Sequence, residues 1–211
     1  SYYLVWKKEY LNSISRGLLP YLTVVGTIIL LVLKGPDLGT ALSITITAVF
    51  LMFIGGVRYR YFLVLAIPIL PALYFLVVRV PYRLNRVLAF LDPEKDPLGI
   101  SYQIRQSLIA VGSGGWNGLG FAQGKQKLFF LPEPHTDFIY AVVGEELGFF
   151  GCLTILVLFS LLFWRGVRIS LRADSPFGTF LGLGIVSMIS FQALINMSVA
   201  LSPVSYTHLR A

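Results

Sequence analysis

Charge is scarce in this sequence. Only 13% of its 211 residues are charged, 56% are hydrophobic, and mean hydropathy is +0.76. A soluble domain carries about 25% charged residues, so this chain has too few to coat a water-facing surface. Cysteine is nearly absent: Cys152 is the single one, which excludes a disulfide framework and a cysteine metal site. Inside an apolar run, its simplest role is that of a small packing residue. Histidine is limited to His135 and His208, far apart in the chain, and a structural zinc site needs more ligands than that. A phosphate loop is missing too. GFAQGKQ (120–126) has three residues between its glycines where four are needed, and Gln126 stands where Ser or Thr should be. GxGxxG fails as well, because Asn117 follows GSGGW. The glycines at 112–124 read instead as a turn region that lets backbone approach other elements. An Asn196–Ser198 glycosylation sequon falls inside an apolar run and is set aside.

What the chain does contain is apolar runs. Uncharged stretches occupy 17–33, 38–57, 61–78 and 147–164, and nearly all of 175–209. Each approaches the ~20 residues that cross a ~30 Å hydrocarbon core. The expected fold is all-α and polytopic, with about five transmembrane helices at 17–34, 38–57, 61–78, 138–164 and 176–201. The first apolar run follows a basic segment, WKKEYLNSISR, and the chain opens on Ser1, so it is expected to begin inside a longer sequence. The net charge of +7 does not point to nucleic acid, because the basic residues flank the apolar runs. Anionic headgroups or a phosphate-bearing substrate are simpler partners.

Basic patches at Lys7, Lys8 and Arg16, at Arg58 and Arg60, and at Arg165, Arg168 and Arg172 fall on one side if crossings alternate. The other side holds Lys34 and the long segment 79–136, with Arg79, Arg83, Arg86, Lys95, Arg105, Lys125 and Lys127. The tally is eight on each side. Long loops weigh less in the positive-inside rule, which makes the patch side cytoplasmic and 79–136 an outer loop. That loop is too apolar for disorder. RVPYRLNRVLAFLDP has the mixed pattern of an interfacial helix, and Ile100, Ile104, Leu108 and Val111 share the face of another.

Two stretches carry candidate chemistry. In KGPDLGT, Asp37 has the setting of a helix N-cap, and a second role, anchoring a basic loop residue, is compatible with it. LPEPHTDFIYAVVGEELG (131–148) concentrates Glu133, His135, Asp137, Glu145 and Glu146 at the mouth of an apolar run. Thr136 or Asp137 can cap a helix beginning at FIYAVV, and the spacing leaves capping and catalysis open for Asp137. A helix over Thr136–Trp164 is 29 residues long, about 43 Å at ~1.5 Å each. Ala141, Gly144 and Gly148 then share a small-residue face, with Gly144 and Gly148 as a GxxxG pair that admits a close neighbour. Glu145 and Glu146 point apart as helix neighbours, and structural pairing is their expected role.

KGPDLGTA, LAFLDPEKDPLGISYQIRQSLIAVGSGG, LPEPHTDFIYAVVGEELG and FQALINMSVA, in this order, closely resemble the SEDS proteins FtsW and RodA, with PEPHTDFI…GEELG nearer FtsW. The resemblance covers about residues 1–200. It implies a ten-span peptidoglycan glycosyltransferase of which spans five to nine are present, with 79–136 extracellular. It implies that Asp137 is the catalytic base for joining lipid II disaccharides, with release of undecaprenyl diphosphate. Arg79, Arg83, Arg86, Arg105, Lys125 and Lys127 become candidates to bind the diphosphate, and Glu133, His135 and Asp37 further substrate-binding candidates. The small-residue face under Asp137 becomes a candidate lining for the lipid tail. No cofactor is certain; a divalent cation is left open. The implied partners are a class B penicillin-binding protein (a transpeptidase) and other divisome membrane proteins, in the bacterial inner membrane. A RodA-like elongation polymerase and a lipid II flippase are the alternatives. From Ser202 the sequence SPVSYTHLRA departs from the pattern and reads as a non-native tail. Without the loop expected there, this chain alone is expected to be inactive.

Overall fold

The computed structural model describes residues 1–7, 13, 17–35, 37–64, 67, 74, 78–79, 84, 100–124 and 138–201. The described residues include the six helices that follow, and among them there is no strand. They are α1 (Tyr2–Trp6), α2 (Leu19–Lys34), α3 (Leu38–Ile54), α4 (Ile100–Gly114), α5 (Ile139–Leu171) and α6 (Pro176–Leu201). Residues 59–64 are also helical, and most of the expected 61–78 span lies outside the described residues.

Helix ends follow local chemistry. Pro20 sits in the first turn of α2, where its missing N–H has no helical partner to lose. Asp37 caps α3, its Oδ1 accepting the Thr40 N–H at 2.9 Å. Such a cap contributes about 1 kcal/mol. Ser175 does the same for α6, accepting the Gly178 N–H at 3.1 Å just before Pro176. Within α2 and α3 the hydroxyls turn back on their own helix: Thr23 to the Leu19 carbonyl, Thr27 to Thr23, Ser43 to Gly39, Thr45 to Ala41 and Thr47 to Ser43. A hydroxyl in an apolar surround must find an acceptor, and the carbonyl four residues back is the nearest.

The chain forms two compact units. The first comprises Ser1–Pro68 with Phe159–Ile195. Its core gathers Leu4, Leu18, Tyr21, Leu51, Met52, Val57 and Leu183. Tyr21 donates its hydroxyl to the Ala48 carbonyl at 3.2 Å, tying α2 to α3. Phe50 and Phe191 meet edge to face at 5.7 Å. Small residues seat the α5 and α6 segments of this unit: Val186 covers Gly166, and Ser170 covers Gly182. The second unit comprises Ile69–Leu158 with Asn196–Ala211. Here the fully buried Ser107 of α4 donates to the Ala200 carbonyl of α6 at 3.0 Å.

α5 and α6 are long and apolar enough to cross a membrane by length and composition; α2 and α3 are shorter apolar helices. Large apolar side chains such as Leu158, Leu161 and Ile185 stand exposed, which fits a helix facing lipid rather than water.

In the full-length protein, Gly166→Leu should cost about 1–3 kcal/mol by overpacking, because a Cβ there already stands 2.9 Å from Val186 Cγ1. A lower thermal midpoint of the purified protein in detergent checks this; an unchanged midpoint contradicts the close packing.

Candidate functional site

The acidic stretch leads into α5, and α5 is not one straight helix. Gly148 lies inside it with φ 65° and ψ −159°, a left-handed conformation that glycine adopts freely. The 29-residue straight rod expected from the sequence is therefore broken into a short limb, 139–147, and a long limb, 149–171. One bond shows how sharply. The Tyr140 hydroxyl donates to the Cys152 carbonyl at 3.3 Å. Twelve residues of straight helix would separate these positions by about 18 Å, well beyond the reach of one tyrosine. The long limb alone extends about 34 Å at 1.5 Å per residue, enough for the hydrocarbon core.

A helix break strands backbone groups. In an unbroken helix Phe149 N–H would bond the Glu145 carbonyl, and Phe150 N–H the Glu146 carbonyl. Instead all four groups pair with the glycine-rich segment. Phe149 N–H donates to Gly115 O at 2.9 Å and Phe150 N–H to Trp116 O at 3.4 Å. Leu119 N–H donates to Glu145 O and Gly120 N–H to Glu146 O, both at 3.0 Å. The segment fills the gap with its own backbone.

That fit explains the glycines the sequence left as a turn region. A Cβ on Gly118 would strike the Glu146 carbonyl, one on Gly148 the Gly118 nitrogen, and one on Gly114 the Gly144 carbonyl. Gly118 also has φ +79°. The close approach expected at the GxxxG pair is present, but with different neighbours at its two ends. Gly144 receives α4, with Val111 Cγ2 2.9 Å from its would-be Cβ. Gly148 receives the backbone of Trp116 and Gly118. This corrects the expected lipid groove: the face of Ala141 and Gly144 is buried and occupied by protein. α4 itself presents small residues, Ser107, Ala110 and Gly114, as its most deeply buried face, while Leu108 and Val111 are half-buried beside it.

Glu145 and Glu146 are both buried, at 1% and 7% exposure. They do not diverge as helix neighbours were expected to. A Cβ on Gly124 would stand 2.8 Å from Glu145 Oε2 and 3.1 Å from Glu146 Oε1, so both carboxylates close on one glycine. Glu146 Oε2 also accepts the Ala122 N–H at 3.1 Å. Ala122 has φ 64°, uncommon for a residue with a side chain. Around the junction, Trp116 packs on Phe149 and Phe150 at 5.2 and 6.3 Å, and these rings stand exposed. Such rings suit the interfacial belt of a membrane protein.

The predicted site residues fare unequally. Asp137, Glu133, His135, Arg83, Arg86, Lys125 and Lys127 lie outside the described residues. Asp137 immediately precedes the buried Phe138, whose carbonyl accepts the Ala141 and Val142 N–H groups at the head of α5. Arg105 on α4 and Arg79 are exposed. Asp37 is exposed and caps α3, in the other compact unit. Sequence reasoning expected structural pairing for Glu146 and close backbone approach at the glycines, but missed that Gly115–Gly120 and the Glu145–Phe150 stretch pair with each other. Their signal was present, as a glycine-dense segment and a Gly-Glu-Glu-Leu-Gly run, but nothing local paired the two.

A long apolar helix opened next to a buried acidic pair, and closed by a glycine-rich segment, defines a polytopic membrane protein built around a discontinuous helix. Residues 1–206 match the sequence model of the cell cycle protein family FtsW/RodA/SpoVE, and the chain belongs to that family. It is 47% identical over 199 residues to the probable peptidoglycan glycosyltransferase FtsW of Geobacter metallireducens, covering 94% of this chain and 53% of that protein. It is 45% identical over 197 residues to stage V sporulation protein E of Bacillus subtilis, covering 93% and 54%. The probable peptidoglycan glycosyltransferase FtsW of Legionella pneumophila is 40% identical over 200 residues, covering 93% and 51%. The chain thus spans about half the length of the relatives it matches.

Gly148→Ala in the full-length protein should cost about 1–3 kcal/mol through left-handed strain, with a further clash against the Trp116 carbonyl 2.7 Å from its Cβ. Hydrogen exchange checks it: the amides of Leu119, Gly120, Phe149 and Phe150 should lose protection together. Retained protection at all four contradicts the bridging role.

Proposed function

We propose that the full-length protein is an FtsW-like peptidoglycan glycosyltransferase that polymerises lipid II, with Asp137 as its general base. The observation that supports this most is the match over 94% of the chain to a relative named as such, together with the HTDFI run, in which Asp137 comes two residues before Ile139, the first of α5. The acceptor sugar's 4-hydroxyl oxygen attacks the anomeric carbon of the donor. The bond from that carbon to the diphosphate breaks with inversion, undecaprenyl diphosphate leaves, and the hydroxyl proton passes to Asp137. A sugar hydroxyl is a weak nucleophile, and a positioned base contributes about 10²–10⁴-fold. An ordinary aspartate, with a pKa near ~3.9, is ionised at neutral pH and ready to accept.

The departing diphosphate needs positive charge, which arginine supplies through two parallel bonds and lysine as a point charge. Arg79, Arg83, Arg86, Arg105, Lys125 and Lys127 are the proposed source; Glu133 and His135 are proposed to bind substrate beside them. The protein sits in the bacterial inner membrane with 79–136 on the outer face, and a class B penicillin-binding protein cross-links what it polymerises.

Asp137→Asn in the full-length protein should insert normally and lose at least about 100-fold in glycan polymerisation from purified lipid II. Wild-type polymer on a gel would remove Asp137 from the chemistry. Orientation has its own test. In intact spheroplasts a membrane-impermeant maleimide should label Lys125→Cys and spare Arg172→Cys; the reverse pattern would invert the topology.

A further inference from the structure

Glu146 makes two bonds to the glycine-rich segment. Its backbone carbonyl accepts the Gly120 N–H at 3.0 Å, and its Oε2 accepts the Ala122 N–H at 3.1 Å. One residue thus clasps both ends of the turn 120–122, including Ala122 in its left-handed conformation. The side chain that makes the second bond is nearly out of solvent, at 7% exposure, so the Ala122 N–H has little water to replace it. The clasped segment is the one whose backbone satisfies the broken helix at Glu145, Phe149 and Phe150.

The direction of the short limb depends on that segment. Residues 139–147 cannot continue the axis of the long limb through Gly148, so the limb is held by what fills the break, by α4 seated on Gly144 and by the Tyr140–Cys152 bond. The same limb begins one residue after Phe138, directly behind Asp137. If the segment lifts, the head of the limb is free to shift. We propose that Glu146 is a positioning residue for the reaction: it latches the glycine-rich segment into the break of α5 and so fixes the direction of the limb that follows Asp137 in the chain. This rests on the reading of Asp137 as the base.

The test uses the full-length protein, with polymerisation measured across lipid II concentrations and hydrogen exchange followed over 115–124. Glu146→Ala should lower kcat about 10- to 100-fold, the scale of a small misplacement, with KM little changed, and should speed exchange in 115–124. Glu146→Gln keeps an oxygen that can accept from Ala122 and should recover most of both. Gly118→Ala crowds the Glu146 carbonyl without altering its carboxylate, and should reproduce the kcat loss and the faster exchange in protein that still elutes as a single species. Wild-type kcat in Glu146→Ala overturns the proposal. So does a Glu146→Gln variant as impaired as Glu146→Ala with protection intact, which would assign the effect to charge. If Asp137→Asn remains active, the base reading falls and the positioning role with it; unchanged exchange in 115–124 of Glu146→Ala, with Asp137→Asn inactive, overturns the latch alone.

Discussion

The second unit depends on one constraint: backbone groups deprived of water must still be paired. Gly148 interrupts α5 and releases two N–H groups and two carbonyls. Each such group left unpaired in a buried setting costs about 1–3 kcal/mol. The glycine-rich segment answers all four at once, and it can do so only because Gly114, Gly118 and Gly148 let backbones touch where a Cβ would collide. The burial of Glu145 and Glu146, the left-handed Ala122 and the close seating of α4 on Gly144 all follow from bringing that segment into the break.

The two compact units solve their packing differently. The first relies on apolar side chains, with Leu4, Met52 and Leu183 at its centre and small residues where α5 and α6 close on each other. Its polar groups are mostly hydroxyls bonded within their own helices. The second relies on backbone pairing and buried polar side chains, with Ser107, Glu145 and Glu146 almost without exposed surface. Irregular backbone is tolerated at membrane depth only where protein encloses it, and enclosure is what α4 and the 115–120 segment provide. Such a junction redirects a helix without leaving polar backbone atoms stranded.

Much of the architecture was legible in the sequence. Uncharged runs of nearly twenty residues mark α2, α3, α5 and α6 because charge in hydrocarbon is costly and periodicity is not needed to see it. Pro-Asp before Leu38 marks the start of α3, because capping is decided by adjacent residues. The run at 133–146 stood out as a candidate because five titratable groups beside an apolar segment have no bland composition to hide in.

The sequence by itself determined the membrane class, the family, and which carboxylates deserved suspicion. Each of these follows from residue type over short windows. Only the tertiary structure decided that α5 breaks at Gly148, that Glu145 and Glu146 converge on Gly124, and that a face suited to a lipid groove is filled by α4. The reason is physical. GxxxG inside an apolar helix costs little in either form, straight or broken, and the balance is set by four hydrogen bonds to a segment about thirty residues away. No local pattern records that pairing.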